Sequence, residues 1–302
     1  MTATAPARLR GLLNAPGMTL AAGVFNGFSA QIALDVGYSV LWASGFCAAA
    51  NKGLPDIGVA TMTDMVTSAA TLVEAVGPEI PIIADADNGY GNSVNVRRTV
   101  RAFEQAGIAG IQLEDQVSPK RCGYLEGKKV ISQRAMEKKI DAACKARRNP
   151  DFVLLARTDA RAVRGLDEAI RRADAYLEAG ADLIIIEAPR SLEELKQIGQ
   201  HFRDRPGRLV FNRVVSNVSN IIRWPDTAVL EGLGATLLLD STAILAAAAH
   251  GTQMMLRHLI HGGDPASFEQ QFNFQELTAM TGLPELQRWE EEFDDDEVAV
   301  AL

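Results

Sequence analysis

The sequence predicts a parallel (β/α)8 barrel, because eight short apolar runs alternate with amphipathic segments along the chain. The runs, in order, read MTLAAGVF, SVLWAS, IPIIADAD, AGIQLED, DFVLLART, DLIIIEA, RLVFN and ATLLLD. Strands that alternate with helices form parallel sheets, and eight such units close into a barrel. Six or seven units would instead give an open doubly wound sheet, which is the structural alternative. The 302 residues suffice for one barrel, which often uses about 250 residues.

The segments between the runs have the apolar spacing of amphipathic helices. In NVRRTVRAFEQAG and LDEAIRRADAYLEAG, apolar residues recur at three and four positions and a glycine ends the segment. A weak internal repeat supports these units. In each repeat a glycine stands seven positions before a polar residue at a strand end, in the pairs Gly37 and Ser44, Gly107 and Glu114, Gly180 and Glu187, and Gly234 and Ser241.

A segment rich in alanine and methionine follows the last predicted strand. It begins STAILAAAAHGTQMMLRHLIHGG, so we predict one barrel domain over residues 1–302 with a C-terminal helical segment at about 241–294. So small and apolar a helix surface favours packing against the barrel or against another subunit. The acidic end, EEEFDDDEVAVAL, is typical of a solvated terminus.

Composition narrows the classes of function. The formal net charge of -8 gives no overall basic field for nucleic acid. No apolar run reaches the roughly 18 residues of a membrane span, and MTATAPARLRGLLNAPG lacks the apolar core of a signal peptide. The cysteines, Cys47, Cys122 and Cys144, lack CxxC spacing, which argues against a disulfide scaffold and a zinc ribbon. We therefore expect a cytoplasmic protein with no nucleic acid or membrane partner.

Polar residues stand where the predicted strands end, on the side of a barrel that carries active sites. This predicted rim contains Ser44, Asp85, Asp87, Glu114, Arg157, Glu187, Asn212 and Asp240.

Three carboxylates of the rim predict a metal site. Asp85 and Asp87 are two positions apart and can point the same way, while Glu114 ends the next strand. Oxygen ligands without histidine or cysteine suit Mg2+, with Mn2+ as a substitute. Alternatively, the acids cap helices or pair with arginines such as Arg157. DNGYGN lacks the residue order of a P-loop.

Arg157 and the loop 118–132 are further candidates. Arg157 ends a strand, where a guanidinium can bind a substrate carboxylate, stabilise an enolate or pair with Glu187. The loop, SPKRCGYLEGKKVIS, places Cys122 among cations and glycines. Because nearby cations favour a thiolate, one interpretation is a mobile lid carrying an acid or base. The other is a solvated basic loop with an incidental cysteine.

The ordered motifs WASG, GLPDIG, DADNGYGN, LEDQVSPKRCG, ARTDA and EAP resemble the isocitrate lyase and phosphoenolpyruvate mutase superfamily. The resemblance runs from about residue 10 to 290. It is strongest to the short members: 2-methylisocitrate lyase, dimethylmalate lyase, oxaloacetate hydrolase and carboxyphosphonoenolpyruvate mutase. It implies a barrel whose final helix is swapped between the subunits of a homodimer or homotetramer.

The resemblance also implies roles for individual residues. The implied metal set is Asp85, Asp87, Glu114 and, through water, Asp56. The implied substrate-binding set is Trp42, Ser44, Gly45, Phe46, Asp85, Gly123, Tyr124, Arg157 and Asn212. The implied catalytic set is Cys122, Arg157 and Glu187.

The implied reaction is Mg2+-dependent cleavage of a carbon–carbon bond in a small 2-hydroxy acid, giving a 2-oxo acid and a second carboxylate. Arg157 would stabilise the enolate-like charge, and Cys122, which phosphoenolpyruvate mutases generally lack, would protonate the leaving fragment. Two departures affect the substrate: Tyr124 replaces the usual lid histidine, and VFNRVVSNVSN lacks the family's usual continuation after Asn212. The alternatives are hydrolysis of an oxaloacetate-type 2-oxo diacid, a phosphonomutase reaction and a catalytically silent barrel.

Overall fold

Eight parallel strands close a barrel in the computed structural model, which describes residues 3–215, 222–268 and 271–293. The strands follow one another around the barrel in chain order, and the last pairs with the first. They are β1 (Thr19–Val24), β2 (Val40–Ala43), β3 (Ile82–Asp85), β4 (Gly110–Glu114), β5 (Val153–Thr158), β6 (Leu183–Ile186), β7 (Leu209–Arg213) and β8 (Ala235–Asp240). The predicted fold class is confirmed, and the doubly wound alternative is wrong.

Helices alternate with these strands, as the amphipathic segments predict. They are α1 (Ala5–Asn14), α2 (Gly27–Asp35), α3 (Gly45–Asn51), α4 (Met62–Val76), α5 (Ser93–Gln105), α6 (Gln133–Ala146), α7 (Ala160–Arg164), α8 (Leu166–Glu178), α9 (Leu192–Phe202), α10 (Thr227–Gly232), α11 (Ala243–Ile260), α12 (Phe274–Met280) and α13 (Leu283–Phe293). Polar side chains begin many of them. At α5, Asn92 accepts from the Val94 N–H while Asn95 accepts from the Asn92 N–H.

Each strand divides its side chains between two apolar layers. One layer fills the barrel interior with residues such as Trp42, Ile83 and Leu155. The other packs alternate strand residues, such as Leu41, against the surrounding helices. Side chains of α1 belong to the interior layer, so this helix closes the amino-terminal end of the barrel. The open end is therefore the one where the strands finish.

The chain contains two compact units, Met1–Ala247 and Ala248–Leu302. The second begins inside α11 and includes α12 and α13. Within the described ranges, α11, α12 and α13 contain no buried residue. None of the helices that can be described combines the length and the hydropathy needed to cross a bilayer. Residues 216–221, which include part of the unusual segment after Asn212, lie outside the described residues.

Candidate active site

The inner face of the barrel changes from apolar to polar where the strands end. The inward-facing polar side chains at this level are all buried, and they are Ser44, Asp85, Glu114, Arg157, Glu187, Asn212 and Ser241. Side chains two positions apart in a strand point the same way, so these polar side chains point inward like the interior apolar residues that precede them. The structure thus assembles most of the predicted rim from seven strand ends.

Asp240 is the exception, and its prediction as a rim residue is wrong. It follows the inward-facing Leu239, so alternation turns it outward, where it accepts a hydrogen bond of 2.9 Å from Arg213 Nη2. The inward position belongs to Ser241, whose hydroxyl donates to Asn212 Oδ1.

Asp85 connects three strand ends through its carboxylate. Oδ1 accepts from the Asp87 N–H at 3.0 Å and from Gln112 Nε2 at 3.3 Å, and Oδ2 accepts from the Gly45 N–H at 3.3 Å. A Cβ at Gly45 would lie 2.6 Å from Asp85 Oδ2, so only glycine allows this approach. The sequence analysis missed Gln112, although its spacing from Glu114 gives it the same inward direction.

Lys120 provides the positive charge closest to Asp56 and Asp87. Its Nζ lies 2.5 Å from Asp56 Oδ1 and 2.7 Å from Asp87 Oδ1, and its side chain is 5% exposed. Burial raises the pKa of Asp87 to about 7, against the opposing effect of the Lys120 ammonium. Burial lowers the pKa of Lys120, but the surrounding carboxylates outweigh this and hold it well above its usual range. The sequence indicated Lys120 only as a loop cation.

Glu114 is fully buried, and neither of its oxygens has a hydrogen-bond donor among the described residues. The nearest charge is Arg157, whose Nη1 lies 3.3 Å from Glu114 Oε2. Burial raises the pKa of Glu114 well above its usual range, although Arg157 lowers it. The Tyr90 hydroxyl, which the sequence analysis missed, is also buried without a partner within the described part of the chain.

Arg157 is surrounded by carboxylates. Its Nε and Nη2 donate to the two oxygens of Asp159, both at 3.1 Å, and its Nε lies 3.7 Å from Glu187 Oε2. Burial lowers the pKa of Arg157, but these carboxylates raise it well above its usual range. The predicted proximity to Glu187 is therefore present, and Asp159 is a partner that the sequence analysis missed.

Glu187 and Asn212 form a second pair at the rim. Asn212 Nδ2 donates to both oxygens of Glu187, at 3.0 and 3.2 Å. Burial raises the pKa of Glu187, with Arg157 acting in the opposite direction.

The residues implied for the substrate carboxylate lie around the start of α3. Ser44 Oγ accepts from the Cys47 N–H at 3.5 Å, and Phe46 is 39% exposed. Trp42 is buried in the interior layer, and its indole N–H has no partner among the described residues.

The loop 118–132 lies directly against the rim. Gly123 is so close that a Cβ there would stand 2.6 Å from both Arg157 Nη2 and Glu187 Oε1. The Cys122 N–H donates to the Asp56 carbonyl at 3.0 Å, and the Tyr124 hydroxyl donates to the Asn212 carbonyl at 3.3 Å. The loop therefore covers the polar end of the barrel.

The Cys122 thiol differs from the sequence expectation. Burial raises its pKa to about 11, so the prediction of a favoured thiolate is wrong. The neighbouring lysines contact other groups. Lys120 pairs with the carboxylates of Asp56 and Asp87. Lys128 Nζ donates to the Gly123 and Leu125 carbonyls at 2.5 and 2.6 Å. Cations that are adjacent in sequence therefore do not outweigh the burial of the thiol.

The donor set allows a test of whether Mg2+ fits. Within the described ranges, no three His, Cys, Asp or Glu side chains are arranged as a metal site. However, Glu114 Oε1 and Oε2 are buried oxygens without a hydrogen-bond donor among the described residues, and Asp87 Oδ1 is a buried oxygen that faces the Lys120 ammonium at 2.7 Å. Carboxylate oxygens of this kind are the ligands that a hard divalent cation prefers. The residues therefore fit Mg2+, provided that Lys120 withdraws from Asp87.

Comparisons with known proteins agree with this fold. The family described as phosphoenolpyruvate phosphomutase matches residues 9–260. The 2,3-dimethylmalate lyase of Eubacterium barkeri is 39% identical over 289 residues, which cover 95% of this chain and 97% of that protein. The 2-methylisocitrate lyase of Vibrio cholerae serotype O1 is 35% identical over 261 residues, covering 85% and 83%.

Solved structures extend the comparison. Oxaloacetate acetylhydrolase in complex with the inhibitor 3,3-difluorooxalacetate superposes with a TM-score of 0.88 at 32% identity, covering 96% of this chain and 97% of that one. Phosphonopyruvate hydrolase in complex with oxalate and Mg2+ superposes with a TM-score of 0.82 at 27% identity, covering 96% and 99%.

The fold and the buried acidic rim define a (β/α)8-barrel enzyme with its candidate active site at the carboxyl ends of the strands. The chain belongs to the phosphoenolpyruvate phosphomutase family, within the isocitrate lyase and phosphoenolpyruvate mutase superfamily. Two of the relatives named above are lyases. The predicted resemblance is confirmed.

Proposed function

We propose that this enzyme is a Mg2+-dependent lyase that cleaves the bond between C2 and C3 of a small 2-hydroxy acid. The products are a 2-oxo acid and a second carboxylate. The main support is the loop 118–132, which we call the lid. In it, Cys122 adjoins Gly123, which packs on Arg157 and Glu187. A thiol is thus held beside the rim that carries Glu114, whose oxygens have no hydrogen-bond donor among the described residues. The identity to 2,3-dimethylmalate lyase also supports carbon–carbon bond chemistry.

Asp85, Asp87 and Glu114 would hold the metal, with Asp56 nearby. Bound Mg2+, or Mn2+ in its place, would act as a Lewis acid that stabilises negative charge on the substrate oxygens. Arg157 supplies a permanent positive charge at the same rim, so it would bind the acid's oxygens and stabilise the enolate-like charge that develops. Its Nε also lies 3.7 Å from Glu187 Oε2, at the mouth of the barrel.

Ser44, Gly45 and Phe46 would hold the substrate carboxylate at the start of α3, with Trp42 packed beside it. Asn212 and Tyr124 would border the other end of the substrate, since the Tyr124 hydroxyl donates to the Asn212 carbonyl. Glu187 would take part in proton movement there, because its carboxylate lies beside Gly123 of the lid and burial raises its pKa.

Cys122 would protonate the leaving carbanion. Because its pKa is raised to about 11, the thiol is neutral near pH 7 and can donate a proton to a stronger base. Cys122 lies on the lid itself and is partly buried, which limits the access of water that would otherwise compete as the donor.

A second candidate is hydrolytic cleavage of an oxaloacetate-type 2-oxo diacid. Its support is the similarity to oxaloacetate acetylhydrolase, together with Tyr124 in place of the lid histidine. Both reactions would use the same metal carboxylates and Arg157, so the products distinguish them.

We also propose a homodimer or homotetramer in which the C-terminal helices are exchanged between subunits. The support is the number of large apolar side chains exposed in the unit Ala248–Leu302, among them Leu256, Ile260, Phe274, Leu286, Trp289 and Phe293. Light scattering of the purified protein tests the oligomeric state, and a monomeric mass would contradict the proposal.

The proposed reaction is tested by NMR of purified protein and Mg2+ with a panel of 2-hydroxy and 2-oxo diacids, with and without EDTA. We expect EDTA-sensitive release of a 2-oxo acid from a 2-hydroxy acid. Release of oxalate and acetate from oxaloacetate would replace the lyase with the hydrolase. Turnover that survives EDTA would contradict both, and no turnover of any acid would favour a phosphonate substrate or a silent barrel.

Cys122→Ser tests the role of the thiol. We expect roughly 100-fold or greater loss of kcat with unchanged Mg2+ affinity in calorimetry, because the serine hydroxyl is a weaker acid in this role. The matched control is Cys144→Ser, since Cys144 lies on α6 and donates to the Gly180 carbonyl at 3.3 Å. Equal losses of rate and metal affinity at Cys122 would contradict the assignment.

A further inference from the structure

Asp159 fixes one edge of the Arg157 guanidinium. Nε donates to Asp159 Oδ2 and Nη2 donates to Asp159 Oδ1, each at 3.1 Å, and the Asp159 side chain is buried. Two parallel bonds of this kind set both the plane and the rotation of a guanidinium. Arg157 therefore has one orientation about its side-chain axis while Asp159 holds it.

This pairing determines which part of Arg157 is available to a ligand. The edge formed by Nε and Nη2 is occupied, so Nη1 and the second proton of Nη2 remain. Nη1 lies 3.3 Å from Glu114 Oε2, and Nη2 is the atom that Gly123 of the lid approaches. The free end of the guanidinium thus points between the proposed metal carboxylates and the lid. Without Asp159, the competing partner is Glu187, which lies 3.7 Å from Nε.

Asp159 is itself held by a buried network on the outer side of the barrel. Its N–H donates to Asp115 Oδ1 at 2.9 Å. Asp115 Oδ2 accepts from Thr158 Oγ1 at 2.8 Å, from the Tyr176 hydroxyl at 2.8 Å and from Arg172 Nη1 at 2.9 Å. All five residues are buried, so the backbone that carries Asp159 has little freedom to shift.

The same network holds the end of the lid. The Ile131 N–H donates to the Asp115 carbonyl at 2.9 Å, and Arg172 Nη1 donates to the Ile131 carbonyl at 2.9 Å. The end of the lid and the orientation of Arg157 therefore depend on one anchor.

We infer that Asp159 is a positioning residue that aims the free end of Arg157 at the substrate carboxylate. The inference rests on the proposed function, because it takes an acid held at the metal site as the ligand of Arg157. Asp159 does not touch that ligand and acts only through Arg157. A merely structural Asp159 would change stability without depending on Arg157.

A double-mutant cycle tests this dependence, with oxalate as the probe and calorimetry in the presence of Mg2+ as the measurement. We expect Asp159→Asn to weaken oxalate binding roughly 10- to 100-fold, in line with charged hydrogen bonds. In an Arg157→Met background, the same substitution should change affinity less than about twofold, because its effect passes through the missing guanidinium. Equal weakening in both backgrounds overturns the inference.

Asp182→Asn is the matched control. Like Asp159, Asp182 forms ion pairs with arginine. Its Oδ1 lies 3.0 Å from Arg10 Nη2, and its Oδ2 lies 2.9 Å from Arg147 Nη1. It precedes β6, at the opposite end of the barrel from the site. We expect this variant to lose thermal stability and keep its oxalate affinity within about twofold. A loss of affinity equal to that of Asp159→Asn would overturn the inference.

A crystal structure of Asp159→Asn separates the inference from the proposed function. If wild-type protein binds no oxalate, the proposed function fails, while the position of Arg157 in the variant still decides the inference. Rotation of the guanidinium toward Glu187 supports a positioning role, and an unmoved guanidinium overturns it.

Discussion

Glu114 and Asp115 are adjacent in the chain and both are buried, yet they lie on opposite sides of the barrel wall. Glu114 faces the interior, where neither oxygen has a hydrogen-bond donor among the described residues. Asp115 faces the helices, where its carboxylate accepts four hydrogen bonds, from Thr158, Asp159, Arg172 and Tyr176. Strand alternation alone separates these two environments.

The difference shows how one strand end serves both function and stability. A buried carboxylate without donors destabilises the fold, so it persists where a ligand satisfies it. A buried carboxylate with four donors holds neighbouring elements together, and here it connects β4, β5 and α8. We therefore expect substitutions at the inner acids, Asp85, Asp87 and Glu114, to affect metal binding, and substitutions at the outer acid, Asp115, to affect stability.

The largest expected effect is at an inner acid. Asp87→Asn should lower Mg2+-dependent activity roughly 1,000-fold or more, because it removes a charged oxygen from the proposed metal site. The thermal unfolding temperature of the metal-free protein should stay unchanged or rise, since Lys120 keeps its contact with Asp56 at 2.5 Å. Activity assays and differential scanning calorimetry measure the two effects. Unaltered kinetics would contradict the metal site.

The outer acid should give the opposite result. Asp115→Asn should lower the free energy of unfolding by about 3–5 kcal/mol, because it leaves the buried Arg172 guanidinium without its charged partner. Mg2+ affinity should stay near that of wild type, since no proposed ligand is removed. Denaturant unfolding and calorimetry measure these quantities. If Asp115→Asn kept normal stability but lost Mg2+ affinity, the assignment of Asp115 to stability and of the inner acids to metal binding would be wrong.

The sequence predicts the barrel and most of its rim because both depend on local patterns. Eight apolar runs mark the strands, and polar residues at the ends of seven of them mark the rim. Asp240 shows the limit of this reasoning, since it ends a strand but faces outward. The pattern determines where a strand ends, whereas the position of the barrel axis determines which of two adjacent residues faces inward.

Partners across the barrel wall could not be predicted in the same way. Asp159 and Asp115 belong to the visible motifs ARTDA and LEDQ, but their hydrogen bonds join strands and a helix that are distant in sequence. Cys122 illustrates the same limit for electrostatics. Counting its neighbouring cations favours a thiolate, whereas burial and the contacts of Lys120 and Lys128 give a raised pKa.

The smallest expected effect is the pH dependence of the metal-free protein. Burial raises the pKa of Asp87 from 3.8 to about 7, so the folded state keeps a proton that the unfolded state releases above about pH 4. The contribution of Asp87 to stability is therefore greatest below about pH 4 and is lost as the pH rises through about 7. As the pH rises from about 4 to about 7 in EDTA, the Tm of wild type should fall relative to that of Asp87→Asn by on the order of a few degrees. Mg2+ should remove the difference for wild type, because a bound cation favours the ionised carboxylate. Parallel Tm curves for the two proteins in EDTA would show that the Lys120 ammonium outweighs the effect of burial on the pKa of Asp87. The carboxylate of Asp87 would then be stabilised by its contacts, as that of Asp115 is.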